Sequence, residues 1–322
     1  MPLSRRLLGM VPTFLGITFI AFALARAAPG HPLALEGDAG LRAGGTTVAQ
    51  MREYRRLMGL DDPLLAGYAR WLGHVVRGDL GDSFRDGRPV LVLLGEALPV
   101  TLLLSLPSIL LGYLLAIPIG IVSAIRPGGL LDRVLTALVF VLYSLPVQWV
   151  ALMLVLVLAA SGSALPIQGL RSEGTRSLGD LLSHLLLPIA CITYGSLAVL
   201  SRHLRSSMLE TMGQDYIRTA RAKGLSESAV VLKHALPNSL LGMITLFGLT
   251  FPALASGAVI VERIFGLPGM GKLTFDAVLG RDLPVLMGSI TLAGLVTMLG
   301  LLVSDLLYAA ADPRISLRGN PA

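Results

Sequence analysis

Six stretches of the chain contain no Asp, Glu, Lys or Arg: residues 7–25, 97–125, 134–170, 181–201, 235–261 and 283–304. Each reaches about 18 residues or more, the length at which an apolar run crosses a bilayer as a helix. A charged side chain at the centre of such a helix costs roughly 2.5–3.5 kcal/mol on insertion, which accounts for the exclusion. The pattern predicts an all-α integral membrane protein with six transmembrane helices. The run 134–170 is longer than one span needs, and its far end is expected to emerge near Ser161 and Gly162. Pro107, Pro118 and Pro146 fall within the second and third runs and mark expected bends.

The intervals between the runs divide the chain into four parts. Residues 1–28 form the amino terminus and first span. Residues 29–98 form a long extracytoplasmic insertion, and residues 99–311 a membrane domain with a polar loop at 202–237. Residues 312–322 form a tail. In the insertion, Val48, Met51, Leu57 and Met58 recur at helical spacing. Asp62 before Pro63 then reads as a helix cap followed by a first-turn proline. Leu64, Leu65, Tyr68, Leu72, Val75 and Val76 make the apolar face of a second amphipathic helix. That face is expected either to pack on the chain's own spans or to receive a soluble donor. The first run, preceded by Arg5 and Arg6, exceeds the 7–15 apolar residues of a signal peptide, so it reads as an uncleaved span despite Ala25-Arg-Ala.

Composition agrees with the pattern. Only 14% of the 322 residues are charged and 54% are hydrophobic, against roughly 25% charged in a soluble domain. The net charge of +6 is better explained by loop asymmetry than by nucleic acid. Lys and Arg gather in the termini and after the second and fourth spans: Arg5, Arg6, Arg126, Arg133, Arg202, Arg205, Arg218, Arg221, Lys223, Lys233, Arg314 and Arg318. The short loops of the other side carry Arg171, Arg176, Arg263, Lys272 and Arg281. By the positive-inside rule both termini and the polar loop are cytoplasmic.

Candidate chemistry is sparse. Cys191 is the only cysteine, which rules out an internal disulfide, and it reads as a packing residue. His184 stands alone near a span end and reads as structural rather than as a proton relay. Gln148 and Trp149 read first as packing residues, with the solute pathway or an interface as the alternative. Glu262 and Arg263 are expected to pair, with a donor-docking rim as the alternative. Residues 266–273 nearly fit the phosphate-loop pattern, but Leu273 lacks the hydroxyl that a magnesium ion needs, so a rim turn is expected there. No catalytic residues and no metal site are visible, which argues against a membrane enzyme. A scaffold whose basic loop binds anionic lipid is a further rival.

The polar loop is the informative stretch. Tyr216, Ile217 and Ala220 fall on one face of a short helix. Gly224 can take the left-handed conformation that ends it, and Ser226 with Glu227 can start another. The second helix shows Val230, Val231 and His234 and is expected to end at Pro237. Small residues at Ala220, Ala222 and Gly224 make a smooth corner for a partner. Arg218, Arg221, Lys223 and Lys233 can meet an acidic rim.

The run Asp215-Tyr-Ile-Arg-Thr-Ala-Arg-Ala-Lys-Gly-Leu followed by His234-Ala-Leu-Pro-Asn resembles the coupling motif of ABC importer permeases, in particular the dipeptide/oligopeptide branch. Gly224, Leu236 and Pro237 match that motif at its spacing, and Ala220 matches the last alanine of its opening triplet. Arg218, Thr219 and His234 depart from it. Further similarity lies in Gly59-Leu-Asp-Asp-Pro-Leu, Gly78-Asp-Leu-Gly-Asp-Ser, Val261-Glu-Arg-Ile-Phe-Gly-Leu-Pro-Gly-Met-Gly and Asp312-Pro-Arg-Ile. The resemblance implies a peptide-translocating subunit of the cytoplasmic membrane with no cofactor of its own, ATP and magnesium being handled by partners. It also implies two cytoplasmic ATPase subunits, a homologous second permease and an extracytoplasmic solute-binding protein. It places coupling on Tyr216, Ala220, Lys223, Gly224, Leu225, His234, Leu236 and Pro237. The same machinery serving nickel, glutathione or another small solute is the alternative. Neither the residues nor the resemblance assigns a solute pathway.

Overall fold

The computed structural model describes residues 3–27, 52, 62–162 and 165–311. These residues form helices and connecting turns. Helix α1 (Leu3–Ala27) is followed by α2 (Leu64–Val76), α3 (Val90–Ile125), α4 (Leu130–Ser144), α5 (Val147–Ser161) and α6 (Leu178–Met212). Then come α7 (Asp215–Ala222), α8 (Glu227–Ala229), a π-helical turn (Val230–Ala235) and α9 (Leu236–Ser256). Two short helices, α10 (Val259–Ile264) and α11 (Met270–Leu279), precede the last long one, α12 (Leu283–Ala311). Among the described residues five helices are long and apolar enough to cross a membrane, and the bent pair α4–α5 adds a sixth if it is taken as one span.

The bend expected at Pro146 is a full break of the helix, and the expected emergence near Ser161 is where α5 ends. The two halves meet at 87°. Leu145 is extended (φ −89°, ψ 121°), the conformation that a following proline favours. A second helix holds the break open: the Tyr194 hydroxyl donates to the Leu145 carbonyl at 2.9 Å. A Cβ on Gly195 would come within 2.9 Å of a Val147 methyl, so a side chain there would force the first residue of α5 to shift. Pro107 and Pro118, by contrast, stay inside an unbroken α3. At its far end α5 stops at Ser161, with Gly162 left-handed.

Lipid tails are as apolar as leucine, so packed helices in a membrane are held by close approach rather than by hydrophobic exclusion. The chain supplies small residues where helices meet. On α3, Gly112 faces Ser196 and Gly120 faces Leu204 of α6, each with room for no more than a hydrogen. The α9–α12 contact repeats the device with Gly248 against Ser304 and Gly300 against Phe251. Helix α1 lies along α12, with Phe14 and Ile17 beside Gly294.

Helix α2 packs on the chain itself. Trp71 is buried with Phe22, Phe84 and Met287, and Tyr68, Leu72 and Val75 close over them. Leu64, Leu65 and Val76 of the expected apolar face are instead exposed. The buried stripe follows the three- and four-residue spacing of Tyr68, Trp71, Leu72 and Val75, and those three lie off it or at its frayed ends. Asp62 does not cap the helix. Pro63 occupies that position, and the Asp62 carboxylate turns to Arg70 at 2.7 Å. The earlier amphipathic stretch of Val48, Met51, Leu57 and Met58 lies outside the described residues.

Candidate functional site: a helical elbow fused to a span

Helix α6 runs 35 residues, about 52 Å at 1.5 Å per residue. It outlasts its uncharged run and carries Arg202, Arg205 and Glu210 beyond it. The elbow is built on this stem. The chain turns at Gly213, forms α7, reverses at Gly224 and returns through α8 and the π turn into α9. Segment 202–237 is therefore a helical extension at both ends rather than a free loop.

Gly224 has φ +77° with open space around its Cα. A side chain there would meet no neighbour, so the glycine serves backbone conformation alone. Across the turn the Arg221 guanidinium grips Glu227 through two bonds of 3.1 and 2.6 Å. That fork raises the Arg221 pKa above its ordinary value. The Ser226 hydroxyl accepts from the Ala229 N–H at 3.4 Å, as expected of a cap.

The inner face of the elbow belongs to the chain's own core. Ile217, Val230, Val231 and Ala235 are buried with Leu200, Leu204 and Met208 of α6 and Met243 of α9. Ala220 is 6% exposed in the same cluster. This corrects its place on a partner-facing corner. Ile217 and Ala220 are three residues apart on an eight-residue helix, so burying one turns the other inward too. Tyr216, Lys223, Gly224, Leu225 and Pro237 are exposed, while His234 and Leu236 are half-buried. Tyr216 thus faces away from Ile217 rather than sharing its face. Burial of part of its ring raises its phenol pKa.

The return helix does not end at Pro237. It continues into α9 through the π turn, where the Leu236 N–H reaches back to the Val231 carbonyl. Proline lacks an N–H, and its ring would crowd the carbonyl four residues back. The wider π turn relieves that crowding without breaking the helix. Asn238 donates from its side chain to the His234 carbonyl at 2.8 Å. Ser239 joins α9 to the end of α6, bonding the Thr211 hydroxyl at 3.1 Å. The elbow is thereby continuous with α9 and bonded to the end of α6.

One charged pair was not singled out in the sequence. Arg205 on the α6 stem forks onto buried Asp132 with two bonds of 2.8 Å. Asp132 also accepts from the Gly128 N–H at 2.8 Å. The clamp fixes the base of α4 to the helix that carries the elbow. The signal available in the sequence was an acid just before one uncharged run and an arginine just after another, on the same side.

At the opposite end of the bundle, the near-phosphate-loop is a turn between α10 and α11, with helices on both sides. Glu262 and Arg263 do not pair. Successive helical residues point about 100° apart, and here one faces in and the other out. Glu262 is fully buried. It accepts from the Thr101 hydroxyl (2.9 Å), the Ala258 N–H (3.2 Å) and the Lys272 N–H (2.9 Å). Gly257, Gly269 and Gly271 leave no space for a Cβ around it. Arg263 instead lies 4.2 Å over the Phe275 ring and 3.6 Å from Asp276. His184 is buried and bonded through Nδ1 to the Gly169 carbonyl at 2.8 Å, which ties down the turn before α6.

Comparison with known proteins places this arrangement. Residues 116–317, from within α3 to past α12, match the family model described as binding-protein-dependent transport system inner membrane component. The oligopeptide transport system permease protein AppB of Bacillus subtilis is 41% identical, covering 97% of this chain and 98% of that protein. The di/tripeptide transport system permease protein DppB of Pseudomonas aeruginosa is 36% identical over 97% of this chain and 98% of its own length. The dipeptide transport system permease protein DppB of Escherichia coli is 34% identical over 97% of each. The elbow, the π turn and the helices from α4 to α12 lie inside the matched region, and the chain belongs to the family of binding-protein-dependent transport system inner membrane components.

Proposed function

We propose that the chain is one of two permease subunits of an ATP-driven peptide importer and that the elbow α7–π turn–α9 receives the work of ATP hydrolysis from a separate subunit. The peptide assignment is supported by relatives named as oligopeptide and dipeptide permeases that align over nearly the whole chain. The observation that carries the coupling role is the fusion of the elbow to α9 through the π turn. Tyr216, Lys223, Gly224 and Leu225 form the outward surface that a partner meets. Ala220, His234, Leu236 and Pro237 shape and transmit. Closure of a pair of ATPase subunits, binding ATP and magnesium, would draw two such elbows together and swing the spans between inward- and outward-facing states. An extracytoplasmic binding protein would deliver the peptide. A cytoplasmic elbow and cytoplasmic termini are supported by the excess of Lys and Arg in those segments under the positive-inside rule.

Cysteine crosslinking tests the elbow. In a Cys191→Ala background, Leu225→Cys should crosslink to an ATPase subunit of the assembled transporter, with a yield that changes on ATP binding. Leu156→Cys, on a span, should not. Equal crosslinking from both sites, or none from Leu225→Cys in a complex that hydrolyses ATP, would remove the elbow from the coupling role.

A further inference from the structure

Read as one broken span, the pair α4–α5 carries its break at the depth of the membrane interior. Helices α4 and α5 have 15 residues each, about 22 Å apiece, and neither alone crosses a core of about 30 Å. The break is pinned at Tyr194 and Gly195, halfway along α6. A break presents the backbone groups of two helix ends at that depth. Lipid satisfies none of them, so non-helical backbone persists in a membrane only where protein covers it or water reaches it.

The side chains at the break are polar or amphipathic. Tyr143 is 56% and Trp149 51% exposed, and Ser144, Pro146 and Gln148 are exposed beside them. Farther along the same helices the exposed residues change character. Leu138 and Phe140 on α4, and Leu156 and Val157 on α5, are what a lipid-facing surface requires. Between residues 137 and 160 the exposed polar side chains all lie at the bend; Thr136, nearer the base of α4, is exposed but bonded to Asp132. The patch at the bend contains no charge, only hydroxyl and amide groups between two aromatic rings. The Gln148 amide can donate to and accept from a peptide main chain, and the Ser144 hydroxyl, which itself donates to the Phe140 carbonyl at 2.9 Å, can accept; neither places a charge requirement on the peptide's side chains.

We infer that the broken third span lines a water-filled solute path, with Ser144 and Gln148, flanked by Tyr143 and Trp149, as its hydrogen-bonding surface for the main chain of a peptide in transit. This rests on the peptide-transport reading above. It takes up the alternative that the sequence left open for Gln148 and Trp149, the solute pathway rather than packing.

The test uses the assembled transporter in proteoliposomes, with Cys191, the only native cysteine, changed to alanine. Ser144→Cys, Gln148→Cys, Leu156→Cys and Val157→Cys are made singly and treated with a charged, membrane-impermeant methanethiosulfonate. The reagent attacks thiolate, which lipid suppresses by at least about one pKa unit, so the two bend positions should react at least about tenfold faster than the two controls. Alanyl-alanine supplied with binding protein and ATP should slow that labelling, and labelling of Gln148→Cys should block alanyl-alanine uptake. Bend positions as slow as the controls, in an assembly that takes up alanyl-alanine, overturn the inference, because the second permease or lipid then covers the break. Fast labelling without alanyl-alanine protection overturns the peptide surface while leaving the watery path. Failure of the unmodified assembly to take up any dipeptide counts against the peptide-transport reading instead.

Discussion

Helix α7 has eight residues, and isolated helices shorter than about 12–15 residues are marginal in water. Its order therefore depends on docking, and Ile217 is the fully buried anchor. Ile217→Ala removes three carbons from the cluster with Leu204, Met208, Val230 and Val231. At ~0.8 kcal/mol per buried CH₂ the transfer loss is about 2.4 kcal/mol. The cavity left behind raises the total to about 3 kcal/mol. At 1.4 kcal/mol per factor of ten, the undocked population of α7 grows roughly 100-fold. The assay is amide hydrogen exchange on the detergent-purified chain. Exchange at residues 217–224 should quicken by about that factor while α6 and α9 keep their protection, because the loss is local. Peptide-dependent ATP hydrolysis by the assembled transporter should fall in parallel. Unchanged exchange in α7, or a rise spread evenly over the spans, would refute the view of α7 as a helix held by one docked side chain.

Two other perturbations probe single devices. Gly224→Ala meets no neighbouring atom, so its cost is the left-handed backbone alone, about 1–2 kcal/mol; Gly224→Asn should recover part of it in thermal unfolding, and equal losses would mean the position is chosen for space. Glu262→Ala leaves the Thr101 hydroxyl and the Ala258 and Lys272 N–H groups without their acceptor, at about 1–3 kcal/mol for each donor that water does not reach. Glu262→Gln keeps an acceptor oxygen and should lose less in the same measurement; identical effects would show that the carboxylate's bonds do not hold the turn.

The elbow was legible to the extent that its signals are local. Gly224, Ser226 and the basic residues around them act within a few positions of the chain, and a left-handed turn, a cap and a charged surface follow from residue type. Which side of α7 faces inward did not follow. Ala220 and Ile217 are small or apolar in the same way whether they meet a partner or their own stem, and only the path of α6 decides. The helix end expected at Pro237 was overturned for a similar reason, because proline can end a helix or be absorbed by a π turn. Absorption required α9 to continue in line and Ser239 to hold it to Thr211.

The same division runs through the whole molecule. Six apolar crossings, helical structure and the concentration of charge at one set of loops were determined by the sequence alone, since lipid excludes charge and forces every backbone group into internal hydrogen bonds. The tertiary structure decided which proline breaks a span. Pro107, Pro118 and Pro146 look alike in the chain, but only Pro146 has a tyrosine hydroxyl to take up its neighbour's carbonyl and a glycine to admit the next helix. It also decided that Asp132 meets Arg205 and that Glu262 turns away from Arg263. Those outcomes depend on groups brought together from distant positions, and local residue type carries no record of them.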